Sequence, residues 1–152
     1  LSIDVEISTK VILWIGGYGK EYDEAYELFQ KEMAAIPGLT VLIQHHPKSG
    51  LKNDFKLNEV LAIPDLVVCH QSTVSFLALA NKIPVIHVIP SGQNFDSLPL
   101  RKGLAKKVSR VEDFAKTVED AMSTDISSFF ELMGIPENST ETCAQAILEY
   151  LN

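Results

Sequence analysis

Short apolar runs separated by helical patterns set the organisation of this chain. Val11–Ile15 (VILWI), Thr40–Gln44 (TVLIQ), Leu66–Cys69 (LVVC) and Val85–Ile89 (VIHVI) are apolar almost throughout. Runs of that length, bounded by Gly, Pro and polar clusters, predict buried strands. Lys106–Ser109 adds a short edge strand. Between them the apolar positions recur at helical spacing. Tyr22, Tyr26, Phe29 and Met33 mark a helix from about Glu21 to Ala35 that Pro37-Gly38 stops, and Leu57–Leu61 and Thr73–Ala80 predict shorter ones. Val111, Phe114, Ala115, Val118 and Met122 mark an amphipathic helix. Asp125–Gly134 predicts another short helix. Asn138 with Glu141 forms a capping box for a final helix whose buried stripe is Cys143, Ala144, Ile147, Leu148 and Leu151.

Strands that are apolar on both sides, alternating with helices, imply a parallel sheet covered on both faces. Right-handed crossovers then give a Rossmann-like, doubly wound α/β sheet of about five strands. Such sheets bind ligands outside the carboxyl ends of the strands, where the strand order switches. The glycines, histidines and hydroxyls of this sequence collect at those ends, which points to a phosphorylated ligand there.

Composition narrows the classes. With 152 residues, 46% of them hydrophobic and 22% charged, the chain reads as one globular domain. Its core spans 11–122 and its C-terminal helices 125–152. Twenty acids against 13 bases give a net charge of −7, which argues against a nucleic-acid surface. Cys69 and Cys143 form no CxxC pair, so neither a disulfide framework nor a zinc site is expected, and a reducing, cytoplasmic setting fits. No apolar run approaches the roughly 20 residues of a membrane span. Val11–Ile15 lacks the cleavage pattern of a leader. Asn138-Ser139-Thr140 fits the glycosylation pattern but reads as a helix start. The chain opens on Leu1 rather than Met, so a piece of a longer protein is expected.

Three loops carry the candidate chemistry. Gly16-Gly17-Tyr18-Gly19 joins a strand to a helix, where glycines let backbone N–H groups approach a phosphate. The same turn serves a tight connection without any ligand. Gln71-Ser72-Thr73 sits at another such junction; Ser72 suits an N-cap, and Ser72, Thr73 and Ser75 with first-turn N–H groups also suit an anion. At His45-His46-Pro47 the two imidazoles diverge, and Pro47 holds His46 extended. His46 is the candidate donor or acid toward a phosphate, and His45 is read as a surface-loop imidazole. His70 would face the same cleft, whereas His87 lies inside an apolar strand and reads as a core histidine. No HxxxH, HExxH or DxD spacing exists, so metal-independent chemistry without a cofactor is expected. No GxSxG elbow surrounds Ser72. Arg101, Lys102, Lys106, Lys107 and Arg110 form either a solvated face or a source of positive potential for a pyrophosphate.

In order, VILWIGGYG (Val11–Gly19), TVLIQHHP (Thr40–Pro47) and PDLVVCHQSTVSFLALANKIPVIHV (Pro64–Val88) resemble the C-terminal, donor-binding domain of GT-B glycosyltransferases. The nearest likeness is to bacterial sialyltransferase-like and capsule-sugar transferases with an HP motif and a serine/threonine motif, over about residues 11–92. UDP-N-acetylglucosamine 2-epimerases are similar in build. The resemblance implies half of a GT-B architecture and a nucleotide-sugar donor as ligand. Gly16, Gly17 and Gly19 would line the cleft near the donor phosphates. His46 and Pro47 would touch the nucleotide, His46 assisting phosphate departure, and Ser72 and Thr73 would bind the donor phosphate. Phe76-Leu77-Ala78 stands where many relatives carry a ribose-binding glutamate. GT-B enzymes take their acceptor, and often the catalytic base, from a second domain. The isolated chain is therefore expected to be inactive without that domain or a partner subunit. A non-catalytic nucleotide-sugar or phosphate-binding module on the same fold is the alternative.

Overall fold

A computed structural model describes residues 10–136 and 138–151. Its centre is a five-stranded sheet in the order β2-β1-β3-β4-β5, with every neighbouring pair parallel. The strands are β1 (Lys10–Ile15), β2 (Leu39–Gln44), β3 (Leu66–Cys69), β4 (Val85–Val88) and β5 (Ala105–Val108). This is the Rossmann-like α/β fold that the alternating pattern predicts.

Side chains alternate across the sheet and build two cores. Leu13, Ile15, Val67, Cys69 and Val85 point to one face, where they meet Val60 of α2 (Leu57–Val60), Ala78 and Leu79 of α3 (Val74–Ala80) and Phe129 of α6 (Phe129–Met133). Ile12, Trp14, Val68, Ile86 and Val88 point to the other. There they meet Ala25, Phe29 and Met33 of α1 (Lys20–Ala35) and Phe114 and Ala121 of α5 (Phe114–Met122). Period-two alternation thus gives each strand two apolar faces, which is why the strands read as continuous apolar runs.

Asp65 pins the entry to β3. Its N–H donates to Val11 O and its carboxylate accepts from Val11 N, both at 2.8 Å. The side chain therefore replaces a backbone acceptor at the start of the β1–β3 ladder.

Several elements differ from expectation. β2 is an edge strand rather than a buried one, with Thr40 and Ile43 exposed, because the strand order leaves one side of it uncovered. A short helix α4 (Leu98–Arg101) was not anticipated; Ser97 Oγ accepts from Leu100 N at 3.4 Å and Pro99 occupies the first turn. α6 begins at Phe129, later than Asp125, because Asp125 instead caps a turn by accepting from Ser127 N at 2.9 Å. The final helix, α7 (Ser139–Leu151), forms, but Ala144 and Leu148 of its supposed buried stripe are exposed. The side chains of Cys143, Ile147 and Leu151 lie outside the described residues. Among the described residues no helix is long and apolar enough to cross a membrane.

Candidate functional site

The strand order reverses direction between β1 and β3: β1 leads outward to β2, whereas β3 leads the other way to β4 and β5. The loops leaving the carboxyl ends of β1 and β3 therefore part, and an open cleft forms between them. A cleft of about 530 Å³ occupies this place. Gly16, Gly17, Tyr18, His46, Pro47, Gln71, Ser72 and Thr73 all line it, so the three loops singled out in the sequence meet at one site.

Tyr22, in the first turn of α1, connects two of those loops. Its hydroxyl donates to Gln71 O at 2.8 Å. Its ring covers Gly17 so closely that a Cβ there would stand 1.7 Å from Cδ1. Glycine is thus needed at 17 for space. At Gly19 the reason is conformational, since φ is +115°. Burial, the largest cause, raises the Tyr22 hydroxyl pKa, so it remains a donor.

Asn53 connects the third loop to itself. Its Oδ1 accepts from His45 N at 2.7 Å and its Nδ2 donates to His45 O at 2.9 Å. Both halves of one amide hold a single residue's backbone, fixing the loop immediately before His46. His46 Nδ1 then accepts from Lys48 N at 3.1 Å. In the neutral imidazole the proton consequently sits on Nε2, which leaves His46 an N–H donor for a ligand. Tyr18, exposed at the rim, lies 6.1 Å from the His46 ring.

Other candidates lie elsewhere. His70 is 1% exposed and does not line the cleft. It packs edge-on to Tyr22 at 4.8 Å and bonds Gln93 through Nε2 at 2.5 Å. Ser75 is also buried, and its hydroxyl donates to Ser72 O at 2.7 Å, steadying the turn rather than opening onto the cleft. Ser72 is not the N-cap expected: Thr73 takes that place in α3 without a side-chain bond, and Ser72 Oγ accepts from Val74 N at 3.2 Å in the turn just before it. Gly19 sits behind the lining, its carbonyl accepting from Tyr22 N and Asp23 N. His45, read as a surface-loop residue, is half-buried and lines the cleft. His87 lies fully in the core; its Nδ1 donates to His70 O at 2.7 Å, and burial lowers its pKa.

The basic cluster from Arg101 to Arg110 contributes nothing to the cleft lining. Arg101 pairs with Asp96 and Arg110 with Asp113, each at 2.8 Å, on the solvated side near β5. The local base is Lys48, which sequence reasoning did not single out. Lys48, His45 and His46 line the cleft and no carboxylate does, although the chain has 20 acids against 13 bases. Such a sign bias favours an anionic ligand. Tyr22 and Asn53 also escaped the sequence reading, because their contacts span loops. Among the described residues no group of three or more His, Cys, Asp or Glu is arranged to hold a metal ion.

No family model matches the chain, and no curated protein matches it. Among solved structures, the crystal structure of the glycotransferase of kitacinnamycin superposes with a TM-score of 0.54 at 17% identity. The likeness covers 85% of this chain and 38% of that one. The chain shares its Rossmann-like α/β fold with the matched part of that structure. At that identity the likeness speaks for the fold alone.

Proposed function

We propose that this chain is the donor-binding part of a metal-independent glycosyltransferase of the GT-B type, holding a nucleotide-sugar by its phosphates. The observation that carries the reading is the cleft itself. Three loops converge at the β1/β3 switch, and their lining offers Lys48, two imidazoles, hydroxyls and glycine amides without one carboxylate. Backbone N–H groups of Gly17 and Tyr18, the Ser72 and Thr73 hydroxyls and His46 Nε2–H would neutralise charge growing on the departing nucleotide. An acceptor hydroxyl would attack the anomeric carbon, its proton passing to a base on a second domain or subunit, while the nucleotide leaves with the bonding pair.

The carboxylate-free lining also favours a second reading, a module that binds a nucleotide-sugar or phosphate without turning it over. Calorimetric titration with UDP, CMP and CDP tests what the two readings share. Binding of one of them, weakened at least tenfold by Ser72→Ala with Thr73→Ala, supports the site. Absence of binding at millimolar concentration sinks both. A transfer assay with the acceptor domain present then separates them: turnover supports the transferase, and its absence supports the module.

A further inference from the structure

Residues that do not line the cleft hold its tyrosine from behind. The Tyr22 ring packs on the buried His70 ring, with centroids 4.8 Å apart and planes at 68°. His70 Nε2 in turn bonds Gln93 Oε1 at 2.5 Å. An amide oxygen only accepts, so the imidazole proton sits on Nε2. Among the described residues His70 Nδ1 has no partner, which leaves the Gln93 bond as the one polar contact of the ring. The terminal torsion of histidine is broad, so that bond selects the orientation of the ring. Gln93 lies 23 residues further along the chain, in the loop after β4, and no residue of that loop lines the cleft.

The same loop grips residue 70 a second time. Phe95 packs on the His87 ring with centroids 4.8 Å apart, and His87 Nδ1 donates to His70 O at 2.7 Å. Gln93 therefore holds the side chain of His70, and Phe95 backs the imidazole that holds its carbonyl. What these contacts fix reaches both phosphate-facing turns. Tyr22 stands against Gly17 in one turn and donates to Gln71 O, next to His70, in the other. The position of this one ring thus sets how far the Gly17 amide stands from the Ser72 and Thr73 hydroxyls. An anion that takes donors from both turns needs that separation held, because hydrogen bonds weaken steeply outside a narrow range of distance and angle.

We infer that His70 and Gln93 are positioning residues of the anion site: the loop after β4 acts through the His70 ring on Tyr22 and so sets the affinity of a cleft it does not enter. The inference rests on the reading of the cleft as a phosphate site, and the test separates the two.

Two readouts serve the test, calorimetric titration with inorganic pyrophosphate and the α-proton resonances of Gly17. Those protons lie against the Tyr22 ring, so its ring current reports the position of the ring without any ligand. Gln93→Leu should move the Gly17 resonances and weaken pyrophosphate about fivefold, the size expected of one neutral hydrogen bond. His70→Phe keeps a ring against Tyr22 and removes the bond, so it should do the same. The double variant should lose no more than either alone, far short of the roughly 25-fold product of independent effects. In a Tyr22→Ala background Gln93→Leu should change affinity by less than about twofold, since the route through the tyrosine is gone. Unchanged pyrophosphate affinity in Gln93→Leu overturns the inference whatever the urea midpoint does, because the two residues then only stabilise the fold. A fivefold cost that persists without Tyr22 overturns it as well. If pyrophosphate fails to bind the native chain at millimolar concentration, the phosphate reading of the cleft falls. The Gly17 resonances then decide alone whether Gln93 positions Tyr22, and unmoved resonances in Gln93→Leu refute it.

Discussion

Alanine at Gly17 is the sharpest local test of how the cleft is built. The added Cβ would stand 1.7 Å from Tyr22 Cδ1 and 2.1 Å from Cγ. Atoms so near the base of the ring cannot be relieved by a small tilt, so Tyr22 must leave its rotamer. Its hydroxyl then loses Gln71 O, and the β1 and β3 loops lose their link. Overpacking costs roughly 1–3 kcal/mol and the lost hydrogen bond about 1 kcal/mol, so Gly17→Ala should destabilise by about 2–4 kcal/mol. Urea unfolding reads this as a lower midpoint at unchanged slope. A companion variant isolates the cause. Tyr22→Ala removes the obstacle, so Gly17→Ala added to it should cost less than about 0.5 kcal/mol, well short of additivity. A native-like midpoint for Gly17→Ala, or full additivity in the double variant, would refute the steric account.

Three further outcomes follow from the same geometry. Asp65→Ala removes the acceptor for Val11 N and should cost about 1–3 kcal/mol in urea unfolding, because it strands a half-buried donor; a loss below about 0.5 kcal/mol would contradict that role. Asn53→Ala frees the His45 backbone from two part-buried bonds, so it should cost about 1–3 kcal/mol in urea unfolding and weaken CMP or UDP about tenfold, and equal affinity would remove Asn53 from the site. Stability should also vary with pH at both ends. Burial holds His87 below its ordinary 6.5, so the unfolded chain takes up a proton that the folded one refuses, and stability falls as pH drops below that value. Burial pushes the Cys69 thiol from 9.0 up to about 12, so ionisation favours the unfolded chain and stability falls as pH rises across that window. Urea midpoints across the pH range should show both arms, with the alkaline one reduced in Cys69→Ala; an undiminished alkaline arm in that variant would contradict the assignment.

Strands β1, β3 and β4 were legible because they are buried on both faces, and a run such as LVVC has no other economical placement. The edge position of β2 was not, since TVLIQ is as apolar as its neighbours and only the strand order decides which strand lies outermost. In the site, Gly16-Gly17, His46-Pro47 and Ser72-Thr73 could be read from their places at strand ends. His70 follows β3 directly, yet its ring turns inward onto Tyr22 and Gln93, and Ser75, already inside α3, turns inward onto Ser72 O. Tyr22 looked like part of the helical apolar stripe, and Asn53 like loop filling. Their roles depend on partners 49 and 8 residues away, which no local pattern encodes. Of the two readings of the basic cluster, a solvated face and a source of potential for a pyrophosphate, the structure favours the first: it lies by β5, away from the cleft.

The central claim is that three loops at the β1/β3 switch form one anion site. Amide chemical-shift mapping of the isotopically labelled chain during titration with CMP, and separately with inorganic pyrophosphate, tests it most directly. Both ligands should move the amides of Gly16–Gly19, His46, Lys48 and Ser72–Val74 along one saturation curve, leaving Lys107–Lys116 in place. Shifts confined to the basic Lys107–Lys116 segment, or three loops that saturate at different concentrations, would contradict it.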